Sequence, residues 1–205
     1  HSQVTDRNLV NDQGERATLI ELEDQTRVKR FNQNTEQKYT VRSLLDADGS
    51  LLAFDGELNT GPTAVRTRGR VVGDRLRLET TTGAEIQVDS IPWKSSYGGI
   101  GADELSLRNA PLKPGETRKL QMLAPVLHQV MTVEWTAGSF RDVVLPDGKK
   151  ARLLEIKEKS VLPGIALEGV RWADEQGLVW MTTLPAFQQT TYRTTQDNAL
   201  ADDGG

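Results

Sequence analysis

Apolar and polar residues alternate along most of this chain with a period of two. The pattern runs through "TLIELE" (18–23), "YTVRSLL" (39–45), "RVVGDRLRLE" (70–79) and "AEIQVDS" (84–90). It resumes in "TRKLQML" (117–123), "VLHQVMTVEW" (126–135), "ARLLEIKE" (151–158) and "GLVWMTTL" (177–184). Successive side chains of a strand point to opposite faces, so this period predicts half-buried β-strands. Turn residues separate the runs. Gly73-Asp74 fits a two-residue hairpin loop with Gly first. Pro114-Gly115 and Pro163-Gly164 supply the fixed φ and the positive φ that a type II turn needs, and Leu145-Pro146-Asp147-Gly148 suits type I. In "LLDADGSLLAF" (44–54) and "RWADEQGLVWM" (171–181), an Asp, two intervening residues and a Gly lie between apolar runs. Asp46 and Asp174 are therefore expected at the first place of type I turns. Gly49 and Gly177 would close those turns at positive φ. The helical signal is confined to "GADELSLRN" (101–109), with Asp103 as a cap and Pro111 beyond its end.

These elements predict a mainly β fold, a strongly curved antiparallel sheet or barrel-like meander of about 8–12 strands with one short helix; a β-sandwich is the alternative. One all-β domain is expected over 17–196. The polar stretches 1–16 and 197–205 are expected to be flexible ends. His1 is not a native start, so a processed or cloned piece is expected, from which a signal peptide could have been removed.

Composition narrows the chemistry. The 205 residues are 37% hydrophobic, enough to fill a core. Asp and Glu number 29 against 25 Lys and Arg, a net charge of −4 with no general attraction to nucleic acid or an anionic membrane. The chain has no Cys, which removes disulfides, thiolate metal sites and a thiol nucleophile together. No apolar run approaches the roughly 20 residues of a membrane-spanning helix, so no transmembrane segment is expected.

Each local motif has a structural reading beside a chemical one. Arg66, Arg68, Arg70, Arg75 and Arg77 could form an anion-binding patch. A hairpin turning at Gly73-Asp74 instead places them on one solvated face, with Arg70 opposite Arg77 and Arg68 opposite Glu79, and Val71, Leu76 and Leu78 on the other. His128, in a predicted strand, falls on the face away from Leu127, Met131, Val133 and Trp135. It has no nearby motif partner for base or metal chemistry. Asp46, Asp48, Ser50 and Glu57 occupy the first, third, fifth and twelfth places of a calcium loop, but Leu51 stands at the sixth, where Gly is required. Trp93, Tyr97, Trp135, Trp172, Trp180 and Phe187 are core residues or, alternatively, the lining of an apolar pocket for a lipid or other apolar ligand. No catalytic residue, metal or cofactor is assigned.

The runs "TAVRTRGRVVGDRLRLETTTG", "IPW", "PLKPGETRKLQML" and "RWADEQGLVWMTTLP" resemble the region before the catalytic domain of bacterial, planctomycete-type transglutaminase-like proteins. The resemblance covers roughly residues 20–195. Such proteins use a Cys-His-Asp triad, and with no Cys here no catalytic residue carries over. The resemblance implies a non-catalytic accessory or interaction domain in the periplasm, secreted or at the cell envelope, with a neighbouring transglutaminase-like domain or an envelope protein as partner. A looser likeness, through the W-x-D-x-x-G hairpin, is to lipoprotein-carrier half-barrels. It implies a periplasmic carrier of an apolar ligand, although this chain lacks that fold's several helices. An enzyme of unknown type is the third reading.

Overall fold

The computed structural model describes residues 2–10, 16–30, 33–60, 63–124, 126–145 and 148–194. Pro146, Asp147 and the expected C-terminal tail at 197–205 lie outside the described residues, as do positions 1 and 11–15 of the expected N-terminal tail. The described chain is mainly β, with antiparallel strand pairing throughout both sheets and one α-helix. A seven-stranded sheet follows chain order: β1 (Ser2–Val10), β2 (Arg16–Arg30), β3 (Gln33–Asp46), β4 (Leu51–Asn59), β5 (Ala64–Val72), β6 (Arg75–Thr82) and β7 (Glu85–Pro92). Helix α1 (Ala102–Asn109) precedes the strands of a second, six-stranded sheet. These are β8 (Thr117–Leu123), β9 (Val130–Val144), β10 (Lys150–Leu162), β11 (Ile165–Ala173), β12 (Val179–Leu184) and β13 (Gln189–Tyr192).

The chain separates into two compact units, His1–Ala102 with Leu123–Gln129, and Asp103–Met122 with Val130–Gly205. Each is assembled from two segments, where the sequence pattern predicts one domain over 17–196. Strands also form outside the alternating runs, β1 and β13 among them. The segment expected to be flexible contains β1, which pairs with β2 from Ser2–Asp24 to Val10–Arg16. Its side chains are largely exposed, so the backbone ladder to β2 holds it rather than an alternating pattern of its own. The short β13 is likewise exposed and is held by pairing with β12. By contrast, the strand predicted from position 126 begins only at Val130. Val126 and His128 adopt φ of 64° and 50°, and the Ala124 N–H donates to the Gln129 carbonyl at 2.8 Å, so this stretch is a closed loop.

Two Asx turns have matching geometry. Asp46 Oδ1 accepts from the N–H groups of Asp48 (3.0 Å) and Ser50 (2.8 Å), and the Gly49 N–H donates to the Asp46 carbonyl at 3.1 Å. Asp174 Oδ1 accepts from Gln176 (3.0 Å) and Leu178 (2.9 Å), and the Gly177 N–H donates to the Asp174 carbonyl at 3.0 Å. Gly49 and Gly177 have φ of 85° and 77°, in the left-handed region that favours glycine. Asp174 carries one more bond: its Oδ2 accepts from Trp180 Nε1 at 2.9 Å. At Gly177 a Cβ would also come within 2.0 Å of the Leu107 carbonyl oxygen. The turn thus seats against α1 and ties a tryptophan to its first residue.

In the seven-stranded unit the buried face carries Ile20, Val41, Phe54, Leu76 and Leu78. Gly69 stands between two exposed arginines because it faces Phe54 across the β4–β5 ladder, where a Cβ would meet the ring at 2.0 Å. In the other unit Leu107, Met122, Val133, Trp135, Leu154 and Ile156 form the core.

The turn and ring contacts set three outcomes. Gly177→Val and Gly69→Ala should each lower the urea unfolding midpoint by an amount equivalent to about 2–4 kcal/mol. Asp174→Asn, near-neutral on the turn chemistry alone, should cost about 1–2 kcal/mol because an amide NH2 in place of Oδ2 cannot accept from Trp180 Nε1. A midpoint unchanged in Asp174→Asn would remove Trp180 from this account.

Candidate functional site

Among the described residues, the least exposed ion pairs lie on the core face of the six-stranded unit, with side chains 9–14% exposed. β10 places Glu158 in phase with Ile156, directly across from Trp135 on β9 and Gly169 on β11. β11 places Arg171 in phase with buried Ala173, across from Ile156. Helix α1 contributes Asp103. It lies within the first turn rather than at the cap predicted for it, because the helix begins at Ala102, whose N–H bonds the Gly99 carbonyl. Arg171 Nη2 pairs with Asp103 Oδ2 at 2.7 Å, and Arg171 Nε pairs with Glu158. Glu158 also accepts from Trp135 Nε1 (2.8 Å) and Ser160 Oγ (3.1 Å). The guanidinium carbon stands 5.8 Å from the Trp135 ring centroid, within cation–π range.

Burial alone would disfavour the Arg171 charge, but Asp103 and Glu158 outweigh it and hold its pKa above the ordinary arginine value. The neighbouring Glu104 is shifted the other way for a carboxylate. Burial first, and then the Asp103 charge, push its pKa up, against the pull of Arg171, Arg193 and Arg108. Chemically the triad is a clamp. Each charge is met by an opposite charge, and the two elements that supply the carboxylates are joined through one guanidinium.

The seven-stranded unit offers a different arrangement. Its charged face lines up Glu21, Arg42, Asp55, Arg68 and Glu79 on successive strands. Ion pairs cross it: Arg7–Glu21 (2.9 Å), Arg42–Glu21 (2.7 Å), Lys38–Glu23 (2.8 Å), Arg66–Glu57 (2.7 Å) and Arg68–Asp55 (3.0 Å). Hydrogen bonds from Asn59 and then Arg66 hold the Glu57 carboxyl below its ordinary range. A shallow depression of about 450 Å³ opens on this face, lined by Thr5, Glu21, Glu23, Arg42, Asp55 and Glu57 among others.

The residues singled out by sequence fall in several places. Arg66, Arg68, Arg70, Arg75 and Arg77 are exposed on the charged face, with Arg70 opposite Arg77 and Arg68 opposite Glu79. Gly73 turns this hairpin at φ 61° with Asp74 beside it, between paired Val72 and Arg75. Gly115 (φ 84°) sits inside a turn that the Glu116 N–H closes by donating to the Lys113 carbonyl at 3.0 Å. Gly164 (φ 78°) lies between paired Leu162 and Ile165, and the N–H of Gly148 (φ 81°) donates to the Leu145 carbonyl at 2.8 Å.

Of the six aromatics, Trp93 and Tyr97 meet edge to face at 5.3 Å in the first unit. In the second, Trp135 is buried under Arg171, Trp172 lies across from Glu155 and Met181, and Trp180 bonds Asp174. Phe187 is 60% exposed in a 3-10 turn. His128 is half-buried and stacks on Phe54 at 5.8 Å, and burial lowers its pKa. The carboxylate of Asp46 is occupied by its own turn amides, which accounts for the acidic spacing without a cation. Among the described residues, no three His, Asp or Glu side chains gather as a metal site, and no helix is long and apolar enough to cross a membrane.

Sequence reasoning missed the Asp103–Arg171–Glu158 triad. The signal was available in phase: Glu158 shares a face with Ile156, and Arg171 shares one with Ala173.

Comparison with known proteins gives no family. No protein-family model and no curated protein matches the chain. Among solved structures it is similar to a β-barrel-like protein of the domain of unknown function DUF1849 from Brucella abortus. The TM-score is 0.57 and the identity 11%, over 87% of this chain and 90% of that one. It is also similar to a DUF1089 family protein from Pseudomonas aeruginosa, with a TM-score of 0.42 and 13% identity over 94% and 92% of the two chains. The first likeness is one of fold.

Removing one member of the triad should be costly. Arg171→Leu leaves two buried carboxylates facing each other and should destabilise by about 3–5 kcal/mol in urea unfolding. Glu104 gives a pH test. Its raised folded pKa means that the native state holds a proton where the unfolded state has lost it. Stability therefore falls as pH rises from the unfolded to the folded value. Glu104→Gln should flatten that decline in the weakly acidic range; an unchanged slope would assign it to other groups.

Proposed function

We propose that this chain is a non-catalytic interaction module of an exported, transglutaminase-like protein, working in the periplasm or cell envelope to position a neighbouring domain. The sequence resemblance over roughly 20–195 supports the setting. The observation that carries the interaction role is the charged face of the seven-stranded sheet, a broad surface of cross-strand ion pairs on a backbone scaffold of long strands. The buried triad of the other unit supports the same reading, since its charges are spent on one another. The chain also has no cysteine for thiol chemistry. A carrier of apolar ligands calls for an apolar hollow, whereas the depression on the charged face is lined chiefly by carboxylate, guanidinium and hydroxyl groups.

The test is the complete reading frame and the domain beside this one. A transglutaminase-like domain expressed without this module should show a lower Tm or weakened substrate processing, and this chain added in trans should restore part of the loss. A frame without such a domain, or a domain indifferent to the module, overturns the proposal.

A further inference from the structure

β7 is the terminal strand of its sheet and pairs with β6 alone among the described residues. Its polarity is reversed relative to its neighbours. Ile86 and Val88 stand on the charged face, across from Thr81 and Glu79, and are 64% and 74% exposed. Gln87 and Asp89 take the opposite face, across from Thr80 and Leu78. Natural edge strands are usually shielded from pairing by charges, prolines or bulges. Here the charged face of the edge strand instead displays two β-branched apolar residues in the open.

Beside them lies uncompensated positive charge. Arg66 and Arg68 each have a carboxylate on β4, but the next arginine along β5, Arg70, faces Ala53 on β4 and Arg77 on β6. Neither Arg70 nor Arg77 pairs with a carboxylate among the described residues, and Arg77 faces Ser90 on β7. Arg75 reaches across to the edge itself. Its Nε donates to Ser90 Oγ at 2.8 Å and its Nη2 to the Ser90 carbonyl at 2.6 Å. One end of β7 is therefore apolar on the charged face, and the other is cationic.

We propose that β7 is the docking edge for an extended acidic segment of a protein partner, added antiparallel as an eighth strand. Main-chain hydrogen bonds at Ile86 and Val88 supply the pairing, since the Ser90 N–H already donates to Asp89 Oδ1 at 2.6 Å and the Ser90 carbonyl accepts from Arg75. Two apolar residues of that segment, two positions apart, cover Val88 and Ile86. A carboxylate on the same face sits at Ser90 within reach of Arg75 and Arg77. The cationic end sets the sign of the partner, and the apolar pair sets its spacing. A second copy of β7 is a poorer occupant, since its charged face brings no carboxylate to these arginines. The inference rests on the interaction-module reading but names an edge that can fail by itself.

The probe is a fluorescein-labelled peptide, Thr-Glu-Thr-Val-Thr-Val-Thr, titrated with the full chain and followed by anisotropy. A control peptide carries Lys in place of Glu. Saturable binding is expected for the Glu peptide, weakened about tenfold for the Lys peptide, for Val88→Lys and for Arg77→Glu. Amide-exchange protection should appear over 85–92. Both variant positions are exposed, and an unchanged unfolding midpoint confirms that each protein is folded. Equal binding of the two peptides, or protection elsewhere, overturns the proposal. So does a concentration-dependent dimer in sedimentation that Val88→Lys abolishes, because the edge would then serve a second copy. None of these outcomes alters whether a transglutaminase-like domain adjoins this chain.

Discussion

Register, fixed at the turns, is the constraint on which the rest of this structure depends. Within each sheet every strand pairs with the strand next to it in sequence, so no crossover connection is needed to set the pairing. A slip of one residue exchanges the two faces of a strand. In β11 such a slip would carry Arg171 from the core to the opposite face and bring Trp172 inward. In β4 it would move Phe54 away from Gly69. The Asx turns at Asp46 and Asp174 act at this level, since each uses one carboxylate oxygen to fix two amides and so ends a strand at a defined residue.

The two units use charge in opposite ways. On the seven-stranded sheet, exposed ion pairs run across strands in water, where each contributes little to stability. Their effect is to keep a wide face polar and balanced. In the six-stranded unit a guanidinium is taken out of water between two carboxylates, and desolvation offsets much of the Coulombic gain. What the triad adds is specificity. The helix can settle on the sheet only where Asp103 reaches Arg171, and β10 and β11 can align only where Glu158 reaches it too. Trp135 completes the site by offering an N–H to Glu158 and a ring face to Arg171.

The edge at β7 shows the same period of two put to another use. Reversing the pattern there leaves a polar row on the side that elsewhere is apolar, which suits a strand where the core thins out. It also leaves Ile86 and Val88 beside arginines that no carboxylate balances. A surface of that kind combines an apolar contact, a directional backbone edge and a charge preference, the three elements of strand-addition recognition.

Alternation and turn chemistry were enough to read an antiparallel, mainly β chain with one short helix near 101–109, and to place Gly73, Gly148 and Gly164 between strands and Gly115 just ahead of one. Those features are local: a φ preference or a two-residue period is written in adjacent residues. Alternation could not locate β1, because a polar edge strand is held by its neighbour's backbone. Nor could it foresee the break at Val126–His128, where an apolar, strand-like run closes into a loop instead. The triad was invisible for a further reason. Asp103, Glu158 and Arg171 each look like an ordinary surface charge until the helix and two strands are packed together, and only tertiary contact turns three solvated groups into one buried clamp. The sequence by itself determined the period, the corners and the absence of thiol chemistry. The tertiary structure decided which charges were buried, because burial depends on what packs against a face and not on the residues along it.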